Sequence, residues 1–175
     1  AVSGQLSDFE RAHADSIASP PTLRRLPAEP PIKVLIGAPV RKRVDVLSAY
    51  LQALDWQELP PRVEVSYCFV SDYTSDDLGE KVLKDFVADH GGVVLQPAIR
   101  PPEGDFSDAD PITHRWTQSA MGRVGQHRQR ILEYAVNNGF DYVWMVDADL
   151  ICDRTTLASL LSCQKKIVSA VYWTR

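Results

Sequence analysis

From Ile32 onward, short apolar segments alternate with amphipathic segments of helical period, and this alternation limits the fold more than any other feature of the sequence. The apolar segments are rich in β-branched and aromatic residues, which favours strands. The predicted strands are residues 32–38, 63–70, 93–96, 141–146 and 167–173. The predicted helices are residues 44–56, 76–90, 124–138 and 155–164. Such alternation indicates an α/β fold with a mainly parallel sheet and helices on both faces.

Local signals indicate where the helices begin and end. Thr74 and Asp77 have the spacing of a capping box at the start of the second predicted helix. Gly91 and Gly92 would end that helix, and Gly139 would end the third, because glycine readily follows a helix C-terminus. Open α/β sheets bind ligands at the carboxyl ends of their strands, so the residues that follow each strand are the candidates for a site.

The composition is that of one globular domain with its own core. The chain has 175 residues, of which 45% are hydrophobic, and a net charge of -4. This charge argues against nucleic-acid binding as the main role. No apolar run approaches the roughly 18 residues that a membrane span needs. We therefore expect no membrane span and a cytoplasmic location, and a signal peptide removed before residue 1 is left open.

The three cysteines are Cys68, Cys152 and Cys163, an odd number without the spacing of a zinc site. We expect them to be buried and reduced. Reduced thiols would suit a reducing compartment.

Two stretches break the alternation. Prolines recur between Pro20 and Pro31 and rule out a regular helix or a central strand there. We interpret residues 1–31 as an N-terminal arm or Pro-rich linker that could contact a partner chain or another domain, and residues 32–175 as the folded domain. Residues 97–117 are also rich in proline and predict a long loop, either a lid or a solvated segment.

Asp147 and Asp149 directly follow the predicted fourth strand. Side chains two residues apart in an extended chain point the same way, so we expect both carboxylates to converge at the edge of the sheet. Carboxylates are hard oxygen ligands that Mg²⁺ or Mn²⁺ favours, often together with phosphate oxygens. The alternative, that they only form a turn or cap a helix, is less favoured because neighbouring acids repel without a cation.

The first two strands also end in polar residues. Arg41, Lys42 and Arg43 follow the first strand, and cations at this position suit phosphate groups. Asp72 follows the second strand, where it would either hydrogen-bond a nucleobase or ribose, or help to begin the next helix.

In their order along the chain, these segments resemble the GT-A glycosyltransferases, especially the family 2 group. Residues 38–42 are similar to the strand, proline and basic loop with which that group opens, and residues 70–76 to its acidic segment Val-Asp-Asp-Gly-Ser-Thr-Asp. Residues 122–130 are similar to a helix that precedes the strand with the acidic pair. Ser71 and Tyr73 depart from the pattern, standing for its first Asp and its Gly. The resemblance covers residues 32–175 and implies a Rossmann-like GT-A nucleotide-binding domain.

The resemblance implies a glycosyltransferase that uses a UDP- or GDP-linked sugar, with Mn²⁺ or Mg²⁺ as cofactor and an unidentified acceptor. Asp149 would hold the metal, with Asp147 near the metal or the ribose. The residues implied in nucleotide binding are Ala38, Pro39, Val40, Arg41, Asp72, Arg128, Asp147 and Ala148. Inverting relatives place their catalytic base well downstream of the acidic pair, so we assign no base and expect the acceptor-binding part to be absent from this sequence.

Two alternatives remain at this point. The first is a non-catalytic nucleotide-binding or assembly domain with a GT-A-like fold, which the unassigned base and the Pro-rich arm favour. The second is a phosphotransferase similar to the haloacid dehalogenases, in which Asp147 would be the nucleophile. Those enzymes need a Lys and further acids after the nucleophile, and few residues follow Asp147 here.

Overall fold

The computed structural model describes residues 30–73, 77–98 and 118–170, in which strands and helices alternate. The strands are β1 (Ile32–Val40), β2 (Val63–Ser71), β3 (Gly92–Leu95) and β4 (Tyr142–Met145). The helices are α1 (Val44–Asp55), α2 (Leu78–His90), α3 (Gln118–Asn137) and α4 (Thr156–Ser162). The expected α/β class is therefore confirmed.

The N-terminal arm and most of the predicted loop at 97–117 lie outside the described residues. The chain divides into the units Ala1–Pro30 and Pro31–Arg175. The interpretation of residues 1–31 as an arm or linker stays a prediction. Within the described parts of the chain, no helix is both long and apolar enough to cross a membrane.

The four strands form one parallel sheet in the order β3-β2-β1-β4. β1 pairs with β2 along its whole length and with β4 from Val34 to Gly37. The chain runs outward from β1 to β2 and β3, then returns across β1 to β4. The direction of this winding therefore changes between β1 and β4, which is where such sheets open a crevice for ligands.

Helices cover both faces of the sheet, as expected. Even-numbered residues of β1, from Val34 to Val40, pack against α1, α2 and Leu157 of α4. On the other face, Leu35 of β1 and the β2 residues Cys68 and Val70 pack against Ile131 of α3. The period of two along each strand thus divides the core into two layers.

Gly37 allows α3 to lie close to the centre of the sheet. A Cβ at position 37 would overlap Cγ2 of Ile131 and would lie 3.3 Å from the carbonyl oxygen of Cys68. Ile131 is fully buried, so its side chain has little room to move.

We predict that Gly37→Ala lowers the free energy of unfolding by about 1–3 kcal/mol, because the added methyl group overpacks this contact. Gly125→Ala is the matched control, since Gly125 lies in α3 and a methyl group added there would meet no atom within 4 Å. That change should raise the free energy of unfolding by about 0.5–1 kcal/mol through helix propensity. Chemical denaturation measures both, and equal effects of the two substitutions would contradict the close approach of α3.

The fifth strand expected at residues 167–173 is wrong for residues 167–170, which form no strand, while residues 171–173 lie outside the described residues. Ile167 is 91% exposed. The apolar, β-branched run there has no strand beside it in the described structure, and strand propensity needs a paired, half-buried surface to act.

The helix boundaries also need correction. Asp77, and not Thr74, is the N-cap of α2, because its carboxylate accepts a hydrogen bond of 2.8 Å from the N–H of Gly79. α3 begins at Gln118 rather than at residue 124. The helix ends were predicted better: Gly91 follows α2 with a φ of +83° and Gly139 follows α3 with a φ of +67°.

The cysteines are only partly as expected. All three are free: Cys68 is buried, Cys152 is half-buried, and Cys163 is exposed, which corrects the prediction of three buried thiols. Burial raises the pKa of the Cys68 thiol to about 12, so this side chain is neutral at pH 7 and packs as an apolar group.

Candidate functional site

The two acids lie in a turn beyond the sheet. β4 ends at Met145, and the N–H of Leu150 donates to the carbonyl oxygen of Asp147 at 3.0 Å. We call residues 147–150 the acidic turn. Asp147 and Asp149 therefore lie in a turn and not in the extended strand that was expected, and the convergence of their carboxylates stays a prediction.

Each acid pairs with a basic side chain from a different element. Arg128 of α3 contacts Asp147 with an N–O distance of 2.6 Å, and Lys42 contacts Asp149 at 2.7 Å. Lys42 belongs to residues 41–43, here called the basic loop, which follows β1. The pairs bring α3 and the basic loop to the acidic turn, beyond the carboxyl ends of β1 and β4.

These ion pairs are partly exposed, with 53% of the Asp147 side chain and 48% of the Asp149 side chain accessible. Pairs of this kind contribute about 0–1 kcal/mol to stability, because water competes for both charges. The acids and their cations are therefore available to a charged ligand without a large loss of folding free energy.

The donor set fits a cation that also binds phosphate. Among the described residues, no group of three or more His, Cys, Asp or Glu side chains could enclose a metal ion. Asp147 and Asp149 offer hard oxygen atoms but would leave most positions around Mg²⁺ or Mn²⁺ to a phosphate and water, which is how Mg²⁺ is commonly held beside nucleotides.

A proline determines where β4 leaves the sheet. The N–H of Val146 donates to the carbonyl oxygen of Gly37 at 3.2 Å, and the next donor in this parallel ladder would be residue 39. Pro39 has no N–H. The hydroxyl of Tyr50, fully buried in α1, donates instead to the carbonyl oxygen of Val146 at 3.1 Å. The residue before Asp147 is thereby held from α1 after the ladder has ended.

A buried glutamine anchors the far side of the acidic turn. The side-chain amide of Gln57 donates to the carbonyl oxygens of Ala53 and Asp153, at 3.0 and 2.8 Å. Its oxygen accepts from the N–H of Leu157 at 3.0 Å and so satisfies a donor at the start of α4. The segment that carries the acids is thus fixed at both ends by residues of α1 or close to its end.

Asp72 lies at the end of β2 with an unsatisfied oxygen. Its N–H continues the ladder to the carbonyl oxygen of Val40 at 3.0 Å, while Oδ1 of its carboxyl group is buried and has no hydrogen-bond partner among the described residues. Burial raises the pKa of Asp72, and the nearby charges of Arg41 and Arg123 partly oppose that rise. Because Asp77 caps α2, Asp72 is not that helix's N-cap. A buried polar atom of this kind calls for a ligand or a water molecule.

A second unsatisfied atom belongs to α3. Arg123 and His127 are 7% and 2% exposed and continue the buried stripe of Ile131 and Ala135, one turn apart from each other. Within the described part of the chain, Nε2 of His127 has no hydrogen-bond partner, and burial lowers the pKa of the imidazole, as do the charges of Arg123 and Arg130. Neither Arg123 nor His127 was among the predicted site residues, although their spacing of eight and four residues before Ile131 was an available signal.

The remaining predicted residues have mostly buried side chains. Ala38, Val40 and Ala148 are at most 3% exposed and belong to the core, so they could reach a nucleotide only through their backbone. Pro39 is half-buried. Arg41 is exposed and donates to the carbonyl oxygen of Asp72 at 3.4 Å.

Two surface cavities lie away from this edge. One, of about 340 Å³, is lined by residues of α1 and α2 that include Leu51 and Phe86. The other, of about 330 Å³, includes Lys33 and Tyr134. Neither is lined by a residue of the acidic turn or of the basic loop, so the chemistry described above is not associated with them.

We predict that Tyr50→Phe lowers the free energy of unfolding by about 1–3 kcal/mol, because it leaves the carbonyl oxygen of Val146 without this donor in the core. Tyr142→Phe is the control, since Tyr142 is 43% exposed, and it should change the free energy by less than about 0.5 kcal/mol. Urea denaturation distinguishes the two. A Tyr50→Phe variant as stable as the control would contradict the role given to this hydroxyl.

A parallel sheet with helices on both faces, a basic loop after β1 and an acidic turn after β4 define a GT-A type of domain. The fold is similar to two solved structures titled as S. aureus TarS and TarS 1-349. Each is 18% identical and is matched over 75% of this chain, with TM-scores of 0.53 and 0.52. The chain spans only 19% and 32% of those chains, and at this identity the likeness shows the fold alone.

The sequence itself decides the family. The family model described as glycosyltransferase family 25, N-terminal domain, matches residues 31–175, and the chain belongs to this family. No curated protein matches the sequence. The GT-A resemblance found in the sequence is confirmed.

Proposed function

We propose that this chain is the donor-binding domain of a glycosyltransferase that moves a sugar from a UDP- or GDP-linked donor to an acceptor, with Mn²⁺ or Mg²⁺ held by Asp149 and Asp147. The observation that carries the proposal is the meeting of two acids and two cations, Lys42 and Arg128, at the switch point between β1 and β4. Family membership supports the transfer of a sugar over the phosphotransferase alternative.

The residues have separate roles in this proposal. A bound divalent cation would neutralise charge on the departing diphosphate. Lys42 and Arg128 would add positive charge beside the same group, where the charge grows as the sugar leaves. Asp72 would accept a hydrogen bond from the base through its unsatisfied oxygen. Pro39 and the backbone of Ala38 and Val40 would line the nucleoside.

Nucleotide binding can be followed by thermal unfolding. The melting temperature should rise with UDP or GDP, and the rise should be larger with Mn²⁺ than with EDTA, because only the folded state binds the nucleotide together with the metal ion. At a free concentration a hundred times the dissociation constant, the stabilisation is about 2.7 kcal/mol. Asp149→Asn should remove the part of the shift that depends on Mn²⁺.

Asp55→Asn is the matched control for this measurement. Asp55 is also a half-exposed carboxylate, with Oδ1 3.0 Å from Nε2 of His90, but it ends α1 far from the acidic turn in sequence. It should keep the full Mn²⁺-dependent shift. Equal nucleotide binding with Mn²⁺ and with EDTA would count against the metal role of Asp149 while leaving nucleotide binding in place.

A turnover measurement distinguishes an enzyme from a non-catalytic binding domain. The protein at its natural length should transfer or hydrolyse a nucleotide sugar, and Asp149→Ala should reduce that rate by about a hundredfold or more, because part of the stabilisation of transition-state charge is lost. Release of the nucleoside diphosphate measures the rate. Nucleotide binding without turnover of UDP- or GDP-sugars would favour the non-catalytic alternative.

A further inference from the structure

Tyr73 fills space that the first turn of α2 leaves open. A Cβ on Gly79 would lie 2.5 Å from Cζ and 2.6 Å from Cε1 of the Tyr73 ring. The ring therefore packs directly on the backbone of Gly79, and only glycine at 79 admits it without movement. Tyr73 stands where the segment Val-Asp-Asp-Gly-Ser-Thr-Asp of the GT-A family 2 group has a glycine.

The hydroxyl of Tyr73 holds the basic loop by its backbone. It accepts a hydrogen bond of 2.7 Å from the N–H of Lys42 and donates to the carbonyl oxygen of the same residue. Both polar groups of one loop residue are thus bound to a ring that is itself packed against α2. Loops are usually more mobile than the elements that they connect, so these two hydrogen bonds restrain the backbone of Lys42.

The side chain of Lys42 points from this fixed backbone to the acidic turn. Its ammonium group lies 2.7 Å from Oδ2 of Asp149, and its side chain is only 20% exposed. The neighbouring cations also make contacts of their own: Arg41 donates to the carbonyl oxygen of Asp72, and Arg43 pairs with Asp45 at 2.7 Å. Lys42 thus places its charge directly on the acid proposed to hold the metal.

A buried hydrogen-bond network also joins Ser71, at the end of β2, to α2. The hydroxyl of Ser71 donates to the carboxylate of Glu80, which is 1% exposed. The same carboxylate accepts from Gln96 at 2.9 Å and pairs with Lys84 at 3.1 Å. Burial alone raises the pKa of Glu80, but these hydrogen bonds outweigh it and lower the pKa, so the group stays ionised. The end of β2 is therefore fixed to α2 on both sides of Asp72.

We propose that Tyr73 is a positioning residue that fixes the backbone of the basic loop so that the ammonium group of Lys42 meets the diphosphate of the donor beside Asp149. This inference rests on the proposed function. A lysine has a long, flexible stem, and its charge is directed only if its backbone is held. Because the ammonium acts on phosphate charge, loss of Tyr73 should affect the diphosphate and leave the base and ribose contacts unchanged.

Tyr73→Phe keeps the ring and removes both hydrogen bonds to Lys42. We expect it to weaken the binding of UDP or GDP, whichever binds the unaltered protein, by about fivefold to tenfold, the equivalent of one or two hydrogen bonds. Binding of uridine or guanosine should change by less than about twofold. Isothermal calorimetry in the presence of Mn²⁺ measures all of these. Tyr142→Phe, the control in a different part of the sheet, should change neither.

Two further variants make the test specific to Lys42. In a Lys42→Gln background, Tyr73→Phe should cause no further loss of diphosphate affinity, because the charge that it positions is gone; a double-mutant cycle measures this coupling. Gly79→Ala, which displaces the ring, should reproduce the loss of diphosphate affinity seen with Tyr73→Phe.

The outcomes separate this inference from the proposed function. Equal losses for nucleoside and nucleoside diphosphate, full additivity with Lys42→Gln, or an unchanged affinity in Tyr73→Phe would each overturn the positioning role alone. Failure of the unaltered protein to bind any nucleoside diphosphate would overturn the proposed function and this inference with it.

Discussion

The missing N–H of Pro39 is the constraint on which the rest of the candidate site depends. Pro39 lies in β1, the strand between β2 and β4, where the ladder to β4 would have continued. Because it cannot donate, β4 separates from the sheet after Val146, and the chain turns there. The buried hydroxyl of Tyr50 satisfies the carbonyl oxygen of Val146 and keeps this ending compact. If β4 did not separate from β1 after Val146, Asp147 would remain a strand residue and would not lie in a turn.

Basic side chains reach the acidic turn from two different elements. Arg128 reaches Asp147 from α3, and Lys42 reaches Asp149 from the basic loop, which the ring of Tyr73 fixes to α2. Asp72, beside Arg123, has an unsatisfied oxygen at the end of β2. Positive and negative groups therefore alternate along the carboxyl edge of the sheet. Such an edge suits a ligand that joins a hydrogen-bonding base to a charged diphosphate.

Sequence periodicity predicted most of the fold because an element buried on one face has apolar residues at regular intervals. The interval is two residues in a strand and three to four in a helix. The strand prediction failed at 167–170, because a β-branched run gives no information on whether a neighbouring strand is present to pair with it. The extended backbone expected at Asp147 and Asp149 was wrong for a related reason: the strand ends where Pro39 stops the ladder, a long-range effect. Lys42 could not be distinguished from its basic neighbours, since its backbone is fixed by the hydroxyl of Tyr73, which is distant in sequence.

Ser71 and Tyr73, which depart from the GT-A pattern, both contact the first turn of α2. Ser71 donates to the buried Glu80, and Tyr73 packs on Gly79, so two successive residues of the first turn of α2 receive the two altered side chains. A change at 73 to another large residue would still need the glycine at 79, and a change at 71 to an acid would place a second negative charge against Glu80. In this chain, the segment that holds Lys42 and the first turn of α2 are thus matched at two positions, 71 with Glu80 and 73 with Gly79.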